Sequence, residues 1–261
     1  MNSSTEVRPM NRETRARWVW AMMMMSMVPL WAGCGTDDEP EPAPKCEASA
    51  VRCTEQSIDQ LDLLTTVSTG EIREEGTTSG QFHTYVDARA GGLTPTQSYT
   101  YVSFTEQGLT RVSVDDQAAL ASTDWDIAFR RFVIRVNSGV SGPSCVSVAQ
   151  APVGTTFDSV TRVDPAWQFR TENYFTETCE LVEDDTGIGA PAAVMGSYWS
   201  YESCLVMTGN VFVLRLADSR HVKVQVTSYY EPSVQETCNQ TGSATQPSGA
   251  AQFRVKWAFL P

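Results

Sequence analysis

The stretch "NVFVLRLADSRHVKVQVTSYY", residues 210–230, limits the folds open to this chain more than any other. Phe212, Leu214 and Leu216 alternate with Val213 and Arg215. After the polar "ADSR", Val222, Val224 and Val226 alternate with Lys223, Gln225 and Thr227. A period of two sends successive side chains to opposite faces of a strand, and two such runs around a short polar turn predict an antiparallel hairpin with one buried face. A helix buries a face with a period of about 3.6 and cannot use this pattern.

Other segments repeat the signal. "AQFRVKWAFLP" sets Phe253, Val255, Trp257 and Phe259 against Arg254 and Lys256. "GQFHTYVDA" reads as a shorter strand. "SYTYVSFTEQGLTRVSV" reads as two strands around Gly108, with Tyr99 and Tyr101 on one face. In "TDWDIAFRRFVIRVNSG", residues 123–139, Trp125, Ile127 and Phe129 share a face. Phe132, Ile134 and Val136 also share one, but the phase slips by one between the two sets. The slip predicts a β-bulge or sharp bend at Arg130–Arg131, or a strand that leaves one sheet for another. Asn137, Ser138 and Gly139 then turn the chain.

Helical signals are few. "TEQSIDQLDLL" spaces Ile58, Leu61 and Leu64 by three and offers Thr54 as a cap. "DDQAALAST" suits one helical turn. Residues 140–195 are irregular and suit long loops over a β scaffold, where binding residues tend to sit. The expected fold class is all-β: antiparallel sheets with one or two short helices and long middle loops.

The amino-terminal end has the plan of an export signal. A basic opening precedes an apolar run from Trp18 to Ala32, and small residues follow before Cys34. The run is short for a bilayer span of roughly 20 residues. "LWAGC" resembles a bacterial lipobox, although Trp31 stands where an aliphatic residue is usual. The expected domains are a lipoprotein signal peptide over 1–33, an acidic, proline-rich tether over 34–45, and a single β-rich domain over 46–261. Cys34 is the expected site of lipid attachment, with palmitate among the acyl chains. Gly35 rather than Asp follows it, which favours the outer membrane or cell surface.

Residues 1–33 hold four Arg and two Glu, so their removal takes the formal net charge from −12 to −14. So negative a chain lacks the basic footprint of a nucleic-acid binder. Seven cysteines are present, and six remain once Cys34 is set aside: Cys46, Cys53, Cys145, Cys179, Cys204 and Cys238. An even number in an exported chain predicts disulfides. Proximity favours Cys46–Cys53, and Cys145–Cys179 with Cys204–Cys238 is the simplest completion.

No nucleophile elbow, zinc-protease helix or phosphate-binding glycine loop occurs, and His83 and His221 are the only histidines. The chain is therefore read as a non-enzyme. No CxxC pair suggests zinc. "CELVEDDTG" reads as an exposed acidic loop, since Glu183, Asp184 and Asp185 lack the spacing of a calcium hand. Tyr198, Trp199, Tyr201, Tyr229 and Tyr230 are close in sequence. They suit either a large core with aromatic edges or a wall for a flat apolar ligand.

Two segments together resemble the HmuY family of haem-binding lipoproteins. "WDIAFRRFVIRVNSGVSG" (125–142) is similar to the family's signature strand and turn. "VFVLRLADSRHVKVQVTSYY" (211–230) is similar to its late hairpin. The resemblance implies an all-β, HmuY-like fold and a surface-tethered protein that binds haem or a related flat ligand. It also implies haem or iron acquisition, with haem donor proteins or an outer-membrane haem receptor as partners. Well-known members ligate iron with two histidines and others with methionines. Between the two segments this chain has no His, and its methionines there are Met195 and Met207. These two are the candidate haem ligands, with Tyr198 and Tyr201 as candidate wall residues. Trp125, Asp126, Asn137 and Tyr229 are expected to maintain the scaffold. The alternative is a HmuY-like structural or adhesive lipoprotein that has lost haem binding.

Overall fold

A computed structural model describes residues 46–78 and 80–261. The expected signal peptide, Cys34 and the expected tether lie outside the described residues. None of the described helices is long and apolar enough to cross a membrane.

In chain order the elements are α1 (Thr54–Gln60), β1 (Ile72–Thr78), β2 (Gln81–Asp87), β3 (Thr100–Thr105), β4 (Gly108–Arg111), α2 (Asp116–Ala119), β5 (Ile127–Arg130) and β6 (Val133–Val136). They continue with β7 (Ser147–Gln150), β8 (Trp199–Tyr201), β9 (Leu205–Met207), β10 (Phe212–Arg215), β11 (His221–Ser228), α3 (Pro232–Thr241) and β12 (Gln252–Leu260). Single 3-10 turns occur at Phe157–Ser159 and Gly196–Tyr198. Every pairing between strands is antiparallel. One sheet has the order β1-β2-β12-β11-β10-β7, a second has β4-β3-β5-β6, and β8-β9 stands as a separate hairpin.

The period of two decides what each sheet face buries. Phe82, Phe212, Leu214, Val222, Val224, Phe253 and Trp257 of the larger sheet meet Val102, Phe104, Ile127, Phe129, Ile134 and Val136 of the smaller in one main core. The opposite face of the smaller sheet carries Tyr101 and Ala128, which pack with Tyr99, Trp125, Leu61 and Leu120. The opposite face of the larger sheet carries Val213 and Ala258, covered by Phe157 and Val160. The hairpin expected around "ADSR" is β10–β11, with Leu214 opposite Val222 and Phe212 opposite Val224.

Of the causes expected for the phase slip at Arg130–Arg131, the sharp bend is the one that occurs, one residue further on, rather than a bulge or a change of sheet. Phe129 pairs with Ile134 and Ile127 with Val136 across a tight hairpin, whose turn is Arg131 and Phe132. Odd positions on β5 therefore face the same core as even positions on β6. Arg131 takes the left-handed conformation there, with φ of 51°, and its N–H donates to the Ala88 carbonyl. Trp125 also departs from the face it was expected to share. It lies in the second core with Tyr101, whereas Ile127 and Phe129 lie in the main one.

Three disulfides form, but only Cys204–Cys238 matches the expected pairing. The others are Cys46–Cys145 and Cys53–Cys179. Residues 46–50 have no regular structure and run beside the 143–145 turn, where the Ser49 N–H donates to the Pro143 carbonyl. Cys53, rather than Thr54, is the residue that precedes α1. Lying along the domain, the segment presents its two cysteines to two separate points of the irregular middle. Closeness in sequence was the wrong guide because the chain between them does not turn back.

Helix α3 had no counterpart in the sequence reading. Pro232 opens it and Gly242, in the left-handed region, closes it. Its buried side is Val234, Gln235 and Cys238, so an amide interrupts the apolar stripe. Gln235 Oε1 accepts from the Tyr229 and Tyr230 N–H groups, and Nε2 donates to the Leu205 carbonyl. That amide and the Cys204–Cys238 bridge fix the β8–β9 hairpin to α3.

Candidate functional site

The signature residues build a frame. The Trp125 indole N–H donates to the Ala119 carbonyl at 3.1 Å. Asn137 donates to the Ser122 and Trp125 carbonyls and accepts from the Ser144 N–H. Asp126 accepts from the Phe104 N–H, and burial pushes its carboxyl up to about 6 against that hydrogen bond. Tyr229 packs edge-on against Phe253 in the main core. Each of these side chains is spent on holding the sheets together.

Gly139 shows why the turn after β6 needs its glycine. Its φ is +58°, and a Cβ there would stand 2.0 Å from the Glu172 carbonyl oxygen. Glu172 is buried and works in two directions. One carboxylate oxygen accepts from the Val136 N–H on β6 and the other from the Val194 N–H. Burial pushes its carboxyl up to about 7, while the two backbone donors and Arg135 pull it down. The segment leading into Met195 is thus pinned to the sheet.

Beyond Glu172 the chain forms a narrow arm. The Val182 N–H donates to the Tyr174 carbonyl, Ala192 to Val182, and Asp184 to Ala190. Asp184 closes the tip by accepting from the N–H and hydroxyl of Thr186. The Cys53–Cys179 bridge holds the base. Between this arm and the β8 segment lies a cleft of about 680 Å³. Val182, Glu183, Asp184 and Asp185 line one side, with Trp199, Ser200 and Tyr201 on the other. Its size lies within the roughly 300–1,000 Å³ of small-molecule sites. Five large hydrophobic side chains of the described residues are exposed, and two of them, Val182 and Tyr201, line this cleft.

The four residues singled out for haem are only partly brought together. Met195 is 0% exposed and belongs to the main core. Tyr198 is buried too, with its hydroxyl donating to the Phe132 carbonyl at 2.7 Å. Met207 is half-buried on β9, opposite Trp199, and packs against the main core. Tyr201 is 49% exposed and lines the cleft. Trp199 also lines the cleft but is only 4% exposed, its ring packed against Phe132 and Tyr198. The acidic residues of the arm, read only as an exposed loop, form the facing wall. No signal in the sequence places residue 183 beside residue 201.

The histidines lie elsewhere. His83 is exposed on β2 and lines a polar groove under α3 with Glu75, Glu236 and Arg254. His221 opens β11 and packs edge-on against Phe169. Burial lowers its pKa, and Arg215 adds to the shift. Strand β12 separates β2 from β11. Among the described residues no group of three His, Cys, Asp or Glu is arranged to hold a metal ion.

This frame is that of a known family. A sequence model of the HmuY protein family matches residues 95–242, and the chain belongs to the HmuY family. Both segments that carry the resemblance fall inside the matched range. Among solved structures, a Bacteroides vulgatus protein described as HmuY-like and heme binding is 16% identical with a TM-score of 0.45, over 72% of this chain and 97% of that one. A Bacteroides fragilis protein described as a lipoprotein is 14% identical with a TM-score of 0.45, over 71% and 94%. The apo HmuY analog of Tannerella forsythia is 16% identical with a TM-score of 0.38, over 74% and 98%. No curated protein sequence matches the chain.

Proposed function

We propose that the chain is a surface-tethered, non-enzymatic protein that binds haem, or a flat ligand of the same class, in the cleft between the 182–186 arm and β8. The observation that carries this reading is the cleft itself, with Trp199 and the exposed Tyr201 on one side. Aromatic faces bury a planar ligand well. Haem supplies an iron that needs an axial donor, and Tyr is among the residues that serve. Of the lining side chains only Tyr201 has such a donor, so its phenol is the group that would hold the iron. Membership of the HmuY family supports haem as the ligand and haem or iron acquisition as the setting. The lipobox and tether support attachment through Cys34, at the cell surface, near a haem donor or receptor.

Titration of the purified protein with ferric haem, followed by visible absorbance, tests the reading. Saturable binding is expected. Tyr201→Phe should change the ferric spectrum, and Tyr201→Ala should weaken binding about tenfold or more, roughly 1.4 kcal/mol. Met207→Ala should leave the spectrum unchanged. Failure of the wild type to bind would support the alternative of a HmuY-like scaffold without haem.

A further inference from the structure

The charge of the cleft is uneven. Glu183, Asp184 and Asp185 line it, and none of the described lining residues is Lys, Arg or His. Glu183 and Asp185 are exposed, whereas Asp184 is engaged with Thr186 at the tip of the arm. The facing side carries the half-exposed ring of Tyr201 beside Ser197, Ser200 and the mostly buried Trp199, and the exposed Val182 adds apolar surface beside the carboxylates. The site thus offers flat apolar contact and negative charge, with no cation to receive an anionic substituent.

Haem carries two propionates on one edge of an otherwise apolar ring. Elsewhere in proteins such groups are matched by Arg or Lys, whose hydrogen bonds to carboxylate are charge-assisted. Here a propionate turned toward the arm would meet like charge. Repulsion at this range is screened by water and salt, but each carboxylate adds to it. A neutral or cationic planar ligand buries the same ring without that cost.

We infer that this cleft selects planar ligands that are neutral or positively charged at their edge over those that carry free carboxylates. The inference rests on the reading that the cleft is the ligand site. It makes the acidic arm a specificity element: Glu183 and Asp185 reject anionic edges and attract cationic ones.

The test compares haem with haem dimethyl ester, in which both propionates are capped and the ring and iron are unchanged. The ester is expected to bind about tenfold more tightly, and its advantage should widen as salt is lowered. Glu183→Gln with Asp185→Asn should bring the two affinities together by strengthening haem, not by weakening the ester. Asp184 is left intact because it closes the tip. Equal or tighter binding of haem by the wild type, or an ester advantage unchanged in the double variant, would overturn the charge selection. Failure of both ligands to bind would instead remove the cleft as a site for this ligand class.

Discussion

Replacing Asp116 with Ala is expected to destabilise the protein by about 3–5 kcal/mol, the usual cost of removing one partner from a buried ion pair. Asp116 is 0% exposed. One of its oxygens accepts from the Tyr99 N–H and the Tyr101 hydroxyl. The other accepts from the Leu64 N–H and from Arg130 Nη1, the latter at 3.0 Å. Arg130 also donates to the Leu61 and Asp62 carbonyls and lies over the Tyr99 ring. One carboxylate thus joins α2 to β3, β5 and the segment after α1. Truncation leaves a buried guanidinium without its counter-charge and three further donors without an acceptor. Urea unfolding should show a lower midpoint with an unchanged slope. A loss below about 1 kcal/mol would contradict this role.

Trp125→Ala is the second large effect, at about 3–5 kcal/mol for a buried aromatic. Its ring is 0% exposed and meets Tyr101 edge-on at 4.8 Å. Gly142 approaches so closely that a Cβ there would stand 2.9 Å from the indole. The cavity cannot collapse easily, because Asn137 fixes the backbone on both sides through the Ser122 and Trp125 carbonyls. Trp125→Phe should cost less, since it keeps a ring in the pocket and loses the bond to Ala119 and the smaller volume of one ring. Tyr101 touches both Trp125 and Asp116, so the two losses should not add. Thermal unfolding of the single and double variants measures this, and strict additivity would mean the two residues act independently.

The sheet was legible wherever alternation ran unbroken. Strands β10, β11 and β12 bury the residues that the period of two marks for burial: Phe212, Leu214, Val222, Val224, Val226, Phe253, Val255 and Trp257. Lys223, expected to face out, is buried as well, its Nζ donating to the Phe157 and Val160 carbonyls. The β5–β6 hairpin was harder. "FRRF" has none of the Asn-Gly chemistry that usually marks a two-residue turn, so the slip of phase could equally signal a bulge. Arg131 adopts the positive φ that a glycine would take more easily. Helix α3 was hidden because Gln235 occupies its buried side, serving backbone groups instead of the apolar core.

The candidate site was legible only in half. The aromatic cluster at 198–201 was visible as a cluster, but not which of its members face outward. The 3-10 turn at Gly196–Tyr198 sends Tyr198 into the core, and β8 leaves Tyr201 exposed at the cleft. The other wall depends on the Cys53–Cys179 bridge and on Glu172, contacts between residues distant in sequence. Hydrophobic periodicity carries no information about such contacts. The same limit explains why two of the three disulfides were paired wrongly.

A crystal of the haem-loaded protein, measured at the iron absorption edge, locates the iron directly. One iron peak is expected in the cleft between the 182–186 arm and β8, on the side of the Tyr201 phenol. An iron peak in the polar groove beside His83, or anywhere else outside that cleft, would contradict this placement of the ligand.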